Sequence, residues 1–300
     1  MEYFIQQFIN GISVGSIYAL IALGYTMVYG IIKLINFAHG DIFMVGSFIG
    51  LYSARLFAAA GLPPVIILLL SLVFSMGISA LLGMLIERLA YKPLRNASRI
   101  AVLITAIGVS FLLENSGILV LGPQAQGFPE ILPKHQFTLF GDVQVDTNQI
   151  MIFVITIILM ILLQYIVHQT KIGKAMRAVS YDLEAARLMG IHVDRTISAT
   201  FAIGSALAAA GGVVFGMTYN AVDPLMGVIP GLKAFVAAVL GGIGSIPGAL
   251  VGGLLLGTIE TNVSSIGFSS WRDGVAFAVL ILILIFKPSG LFGKNTREKV

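Results

Sequence analysis

Residues 234–259 read AFVAAVLGGIGSIPGALVGGLLLGTI, a run in which every side chain is uncharged. A helix that crosses a lipid bilayer needs about 20 mainly apolar residues, and this run exceeds that length. Glycines and Pro247 interrupt it at 241–248, where a continuous helix is disfavoured. Further long uncharged runs lie at 3–32, 56–86 and 196–222. The sequence therefore predicts an all-α polytopic membrane protein.

The whole chain is poor in charge, with 18 Lys and Arg and 14 Asp and Glu among 300 residues. A soluble chain of this length carries roughly 75 charged side chains. Together with a hydrophobic fraction of 57%, this excludes a soluble globular protein and a disordered chain. Cysteine is absent, which excludes a disulfide-stapled secreted domain.

The net charge of +4 comes from basic residues that cluster between the apolar runs, so it does not indicate a nucleic acid partner. Three segments contain Arg88, Lys92, Arg95 and Arg99; Lys171, Lys174, Arg177, Arg187 and Arg195; and Lys287, Lys294, Arg297 and Lys299. The positive-inside rule assigns such segments to the cytoplasm. The second segment lies within a predicted cytoplasmic loop at 168–195.

The polar segment 122–148 is predicted on the opposite, extracytoplasmic side of the membrane. Spans at about 100–121 and 149–167 separate it from the first two basic segments. Its prolines, its glycines and its excess of acidic over basic residues are typical of an outer loop. Further spans are expected to end near Tyr219 and to cover about 273–286.

Eight or nine spans are expected in a single membrane domain over residues 1–300, with the side of the N-terminus left open by the charge rule. Each half contains an apolar helix, an interruption (36–41 and 241–248) and a small-residue helix. Paired interruptions favour a two-fold internal repeat around a transport pathway. In the second half, either two short spans meet at the cytoplasmic face or one helix is broken at membrane depth.

The two interruptions contain the candidate residues of the translocation path, which are Asn36, His39 and Gly40, and Gly241, Gly242 and Gly244. Non-helical backbone is tolerated at membrane depth where it lines a cavity. A plain cytoplasmic turn at 36–41 is the alternative. For the glycines between 244 and 257, whose spacing of four lets helices approach closely, tight packing is the simpler interpretation.

Ionisable residues inside the spans are few, which disfavours an ion-coupled secondary carrier. Glu114, Lys233 and Glu260 lie close enough to span ends to be interfacial or packed polar groups. The four histidines lie apart without metal-ligand spacing, so neither a metal site nor a cofactor is predicted. A phosphate-binding loop is also missing, since Asn295 follows Gly293 and Lys294. The sequence predicts no enzyme, and any ATP hydrolysis would belong to another chain.

The second basic loop reads SYDLEAARLMGIHVDR from Ser180. We expect Ser180 to cap a cytoplasmic helix of about two turns and Gly190 to end it in the left-handed conformation. A helix lying on the membrane surface is the alternative to a docking role. Glu184, Ala185, Ala186 and Gly190 match the opening of the EAA-x-x-x-G motif of bacterial ABC importer permeases, although Ile-x-Leu-Pro does not follow.

Longer strings carry a wider resemblance. They are IYALIALGYTMVYGIIKLINFAHGDIFMVGS (17–47), IERLAYKPLR (86–95), KIGKAMRAVS (171–180) and LKAFVAAVLGGIGSIPGALVGGLLLG (232–257). Together they resemble the branched-chain amino acid permeases of the LivH type over nearly the entire chain. INFAHG and GGIGSIPG are the most specific of these strings.

The resemblance implies a multi-pass permease subunit in the bacterial inner membrane that imports leucine, isoleucine and valine by alternating access. It implies four partners, namely a homologous second permease, two ABC ATPase subunits and an extracytoplasmic substrate-binding protein. Glu184, Ala185, Ala186 and Gly190 would couple the permease to the ATPase. Related permeases carry urea, amides or other amino acids, so these substrates stay open, and a stand-alone channel or secondary carrier is the alternative from another class.

Overall fold

The computed structural model describes residues 2–33, 36–95 and 97–293, which form a helical bundle with two short strand pairs. Within these ranges, eight helices are long and apolar enough to cross a membrane. This confirms the predicted all-α polytopic fold. The basic tail residues Lys294, Arg297 and Lys299 lie outside the described residues.

The helices follow the apolar runs closely. They are α1 (Glu2–Ile32), α2 (His39–Ala59), α3 (Pro64–Ile86), α4 (Arg99–Leu121), α5 (Thr147–Gln169), α6 (Lys171–Tyr181), α7 (Leu183–Leu188), α8 (Val193–Tyr219), α9 (Val228–Gly241), α10 (Ile246–Ser265) and α11 (Arg272–Phe286). Local signals set several of these bounds. Pro64 occupies the first turn of α3, and Asp146 with Gln149 forms a capping box at the start of α5.

Two antiparallel strand pairs hold the 122–148 segment together. The strands are β1 (Gln126–Gly127), β2 (Gln136–Phe140), β3 (Val143–Asp146) and β4 (Ala221–Val222). β2 pairs with β3, and β1 pairs with β4, so that Gln126 lies opposite Val222. The pairing of β1 with β4 places the 122–148 segment on the same face of the bundle as the end of α8.

The start of α1 lies on this same face, which we call the outer face. The side chain of Gln6 exchanges two hydrogen bonds with the backbone of Gln144, at 3.0 and 2.8 Å. The described parts of the three basic segments gather at the opposite, inner face. There Lys92 pairs with Asp194 at 2.8 Å, and Leu291 donates its N–H to the Leu240 carbonyl oxygen at 2.9 Å. The charge distribution of the sequence thus matches the two faces of the bundle.

The central helix is α1, which is buried continuously from Gly15 to Val28. α10 runs antiparallel along it, and a Cβ atom added at Gly253 would lie 2.6 Å from Ala19 Cα. Gly257 faces Gly15 in the same way. The expected tight packing is therefore confirmed for Gly253 and Gly257, and it sets the distance between the two helices.

The two interruptions have different structures. α2 begins at membrane depth, because His39 Nε2 lies 3.2 Å from the carbonyl oxygen of Ile21. At 1.5 Å per residue, Ile21 is about 16 Å from the inner end of α1. In the second half, by contrast, α9 and α10 meet in a turn at 242–245 on the inner face, as in the first of the two expected alternatives.

Candidate functional site

The N-terminal ends of α2 and α9 meet at membrane depth. A Cβ atom added at Gly40 would lie 2.5 Å from the Gly227 carbonyl oxygen and 3.3 Å from Gly231 Cα. The two helices run in opposite directions from this point, α2 towards the outer face and α9 towards the inner face. The two half-membrane helices therefore start from one place in the bundle.

His39 and Asn36 line the approach to this meeting point and are both buried. The His39 ring packs on Tyr25 with a centroid distance of 4.4 Å, and its Nδ1 has no hydrogen-bond partner among the described residues. Asn36 Oδ1 accepts a hydrogen bond from the Tyr91 hydroxyl at 2.8 Å. His39 and Gly40 thus lie inside the bundle, and a turn closed by the hydrogen bond from the His39 N–H to the Asn36 carbonyl oxygen at 3.1 Å connects them to Asn36 near the inner face.

A cavity of about 210 Å³ opens beside Gly40, between α1, α2, α4 and the start of α9. Its polar side chains are Tyr25, Asp41, Ser110 and Glu114. The Ser110 hydroxyl donates a hydrogen bond to Asp41 Oδ2. Glu114, expected to be an interfacial or packed polar group, shares this cavity with Asp41. Sequence reasoning also passed over Tyr25, Asp41 and Ser110 as site residues.

The glycines 241, 242 and 244 lie elsewhere. Gly242 and Gly244 have φ values of +100° and +93° in the turn between α9 and α10, a conformation that glycine adopts without strain. A Cβ atom added at Gly242 would lie 2.5 Å from the backbone nitrogen of Gly293, so this turn packs against the segment after α11. Ten residues of α9 separate Gly241 from Gly231, a distance of about 15 Å. The two predicted groups are therefore not brought together, and Gly227 and Gly231 are the actual counterparts of Gly40.

The cytoplasmic loop forms two short helices, not one. Ser180 lies within α6 and bonds back to the Arg177 carbonyl, so its expected role as a cap is wrong. Asp182 caps α7 instead, accepting hydrogen bonds from the backbone of Glu184 and Ala185 at 2.9 Å. Gly190 follows α7 with a φ of +80°, which confirms the predicted left-handed residue.

The surface of α7 and its flanks is unusually apolar for a cytoplasmic segment. Glu184 and Ala185 are exposed, while Ala186 is buried against the bundle. Tyr181, Leu188 and Met189 are 94%, 89% and 82% exposed. We call Tyr181, Glu184, Ala185, Leu188 and Met189 the α7 surface. Exposed apolar groups of this kind typically mark a contact surface for another protein or a membrane, which the motif letters alone do not indicate.

A charged cluster connects the end of this loop to α3. Asp194, in the first turn of α8, pairs with Lys92 at 2.8 Å and Arg95 at 2.5 Å. Arg95 also pairs with the fully buried Glu87, whose other carboxylate oxygen accepts a hydrogen bond from Ser198 at 2.6 Å. The start of α8 is therefore fixed to the π-helix (Glu87–Tyr91) and 3₁₀ helix (Lys92–Leu94) that continue α3.

A second charged cluster joins α9, α10 and α11. Lys233 Nζ lies 3.0 Å from Glu260 and 2.6 Å from Asp273, and Arg272 lies 2.9 Å from Glu260. The Tyr18 hydroxyl donates to Glu260 at 2.9 Å. Lys233 and Glu260 are thus packed polar groups, as expected.

Comparisons with known proteins agree with this architecture. A family model described as "Branched-chain amino acid transport system / permease component" matches residues 7–284. The high-affinity branched-chain amino acid transport system permease protein BraD of Pseudomonas aeruginosa is 44% identical over 99% of this chain and 98% of its own. The LivH protein of the same description from Escherichia coli K12 is 42% identical over 99% of this chain and 98% of its own. A probable branched-chain amino acid transport permease protein LivH of Methanocaldococcus jannaschii is 30% identical over 93% of this chain and 89% of its own.

Proposed function

The chain belongs to the family of branched-chain amino acid transport system permease components, and on that premise we propose that it carries branched-chain amino acids into the cell as the permease subunit of an ATP-driven importer. The observation that carries the proposal is the identity of 42–44% with BraD and LivH over nearly the full length of each chain. The site of action is the cytoplasmic membrane, and residues 1–300 act as one permease domain.

The proposed partners are a homologous second permease, two ABC ATPase subunits and an extracytoplasmic substrate-binding protein. The α7 surface supports the ATPase contact, because its exposed apolar side chains surround Glu184 on the inner face. Leu188 belongs to the short helix α7, whose buried residue Ala186 anchors it to the bundle, and Tyr181 and Met189 flank that helix. Glu184, Ala185, Ala186 and Gly190 form the proposed coupling element.

Coupling would travel from α7 to α8 and from there into the bundle. A chain of only four residues connects Leu188 to Val193, and the Asp194 cluster makes α3 move with the start of α8. Higher up, α8 contacts α1, since a Cβ atom added at Gly204 would lie 3.1 Å from the Gly24 carbonyl oxygen. Gly24 in turn faces His39. Binding and release of nucleotide by the ATPases would thus shift the region around Asn36, His39 and Gly40, which we place on the translocation path.

Uptake by the reconstituted complex tests the proposal. Vesicles that contain the permease with its partner subunits should accumulate radiolabelled leucine when the ATPase subunits and ATP are in the vesicle lumen. The binding protein is supplied outside the vesicles. Urea and an acidic amino acid, tested in the same vesicles, should not accumulate. Urea uptake without leucine uptake would instead assign the chain to another substrate within the family.

A further inference from the structure

The cavity beside Gly40 contains two carboxylates among mainly apolar walls. Asp41 is 2% exposed and lies in the first turn of α2. Glu114 reaches the same cavity from α4, so two carboxylates line one small space. None of the described lining residues is basic. A pair of neighbouring carboxylates at membrane depth is unfavourable unless a cation or a proton accompanies it.

Tyr25 provides an independent sign that the cavity receives a ligand. Tyr25 is only 6% exposed, and it lines the cavity. Its hydroxyl makes no hydrogen bond to the described residues and opens onto the cavity. A buried tyrosine hydroxyl usually has a partner. The structure therefore contains an unused hydrogen-bonding group next to two acidic ones.

The remaining walls are apolar. Phe37, Ile107, Phe111, Val228 and Leu232 complete the lining. Metal binding is not favoured, because the described residues bring no group of three metal-ligating side chains together. A primary ammonium group has three N–H donors, which match oxygens of Asp41, Glu114 and Tyr25. An aliphatic side chain on the same molecule matches the apolar walls.

We propose that this cavity is the membrane-depth site for the transported amino acid, in which Asp41, Glu114 and Tyr25 bind the ammonium group and the apolar walls receive the aliphatic side chain. This assignment rests on the proposed transport function. The N-terminal ends of α2 and α9 add positive potential at the cavity, which stabilises the Asp41 carboxylate. Urea has no ammonium group, so it would leave the two carboxylates without a cationic partner.

Thiol labelling of the complete complex tests the charge of the cavity directly. The chain has no cysteine, so Ile107→Cys places one reactive group on the cavity wall beside the carboxylates. A cationic methanethiosulfonate reagent should react about tenfold or more faster than an anionic one, after each rate is divided by its rate with a free thiol, because a negative cleft concentrates cations. Asp41→Asn together with Glu114→Gln should remove the preference. Glu130→Gln, which removes an exposed carboxylate in the outer segment, should leave it unchanged.

Protection by ligands tests the ammonium itself. Leucine should slow the labelling of Ile107→Cys in the complex, and 4-methyl-2-oxopentanoate, which has the same skeleton without the ammonium group, should not. Equal rates for the two reagents, or equal protection by the two ligands, would overturn the proposal. Leucine uptake by the complex with the unsubstituted chain is measured separately. Its absence alongside charge-selective labelling would reject the transport function for leucine but retain a cation-binding cavity.

Discussion

Gly40 is the residue at which two helices approach most closely around the candidate path. The Gly227 carbonyl oxygen and Gly231 Cα occupy the space that any side chain at position 40 would need. Both neighbours are backbone atoms, so they cannot rotate away as a side chain can. The contact can relax only if α2 and α9 move apart.

We therefore expect Gly40→Ala to lower stability by about 1–3 kcal/mol, the usual range for overpacking, and to impair leucine uptake. The measurement is the midpoint of thermal unfolding of the purified complex, read together with vesicle uptake. Gly77→Ala is the matched control, because a Cβ atom at Gly77 meets nothing within 4 Å in α3. It should leave both values unchanged or raise stability slightly. Equal effects of the two substitutions would contradict the close approach.

Lys233 is the only described Lys or Arg that is buried, and both of its partners are carboxylates. Its replacement by Met leaves Glu260 with Arg272 and Tyr18 but takes away the closest buried cation. Breaking a buried ion pair from one side typically costs about 3 kcal/mol or more. Lys233→Met should accordingly destabilise the protein to that extent in thermal unfolding.

The exposed pair between Lys134 and Glu130, at 2.6 Å, supplies the comparison. Lys134→Met should cost less than about 1 kcal/mol, since water screens an exposed pair. If the two lysine substitutions have similar effects, the Lys233 cluster is not a buried network.

At the scale of elements, α7 is held in place by few interactions. Its cap is a single carboxylate, its buried residue is Ala186, and its end depends on the positive φ of Gly190. A helix of six residues has little stability of its own. Its position relative to the bundle is therefore sensitive to changes at either end.

Gly190→Ala and Glu184→Lys should each lower leucine uptake while expression and membrane insertion stay intact. Alanine at a positive φ costs about 1–2 kcal/mol, and a Cβ atom at Gly190 meets nothing within 4 Å, so backbone strain is its whole effect. Copurification of the ATPase and uptake are the measurements. Gly61→Ala is a matched control with φ +72° and open space, in the turn between α2 and α3. Wild-type assembly and uptake in both α7 variants would reject the coupling role.

Some elements were predictable from local sequence and others were not. The apolar runs and the capping residues predict α4, α5, α8 and α11 to within a few residues. Ser180 and Asp182 are both good caps by residue type, and burial of Met176 and Val179, which extends α6 to Tyr181, decides between them. Local sequence does not determine the depth at which α2 begins, because that depth depends on contacts of Gly40 with Gly227 and Gly231, about 190 residues away in sequence.

At the scale of the whole molecule, the distribution of basic residues predicts the two faces, and the described basic segments do share one face. The charge rule does not determine on which side of the membrane the N-terminus lies. The hydrogen bonds between Gln6 and Gln144 place it on the outer face. The cavity could not be predicted in this way. Asp41 belongs to a polar turn and Glu114 to a separate span, and only packing of α2 against α4 brings the two carboxylates together.

The assignment of the faces to the two sides of the membrane can be checked with single cysteines. A cysteine at Gln124, exposed in the outer segment, should react with an impermeant reagent added to intact cells. A cysteine at Ala185 on the α7 surface should react only after the inner side is opened. The absence of native cysteine makes each signal specific. Reaction of both from the same side would overturn the proposed orientation.

The central position of α1 has a consequence for how the protein is made. α1 leaves the ribosome first, but its glycine-lined contact face is covered by α10, which begins 214 residues after α1 ends (246 minus 32). At about 5–20 residues per second, translation takes about 10–40 s to supply that partner. During this interval Gly11 and Gly15 face lipid or an insertion chaperone. A chain that stops short of α10 would leave its oldest helix without its partner, exposed to membrane quality-control proteases.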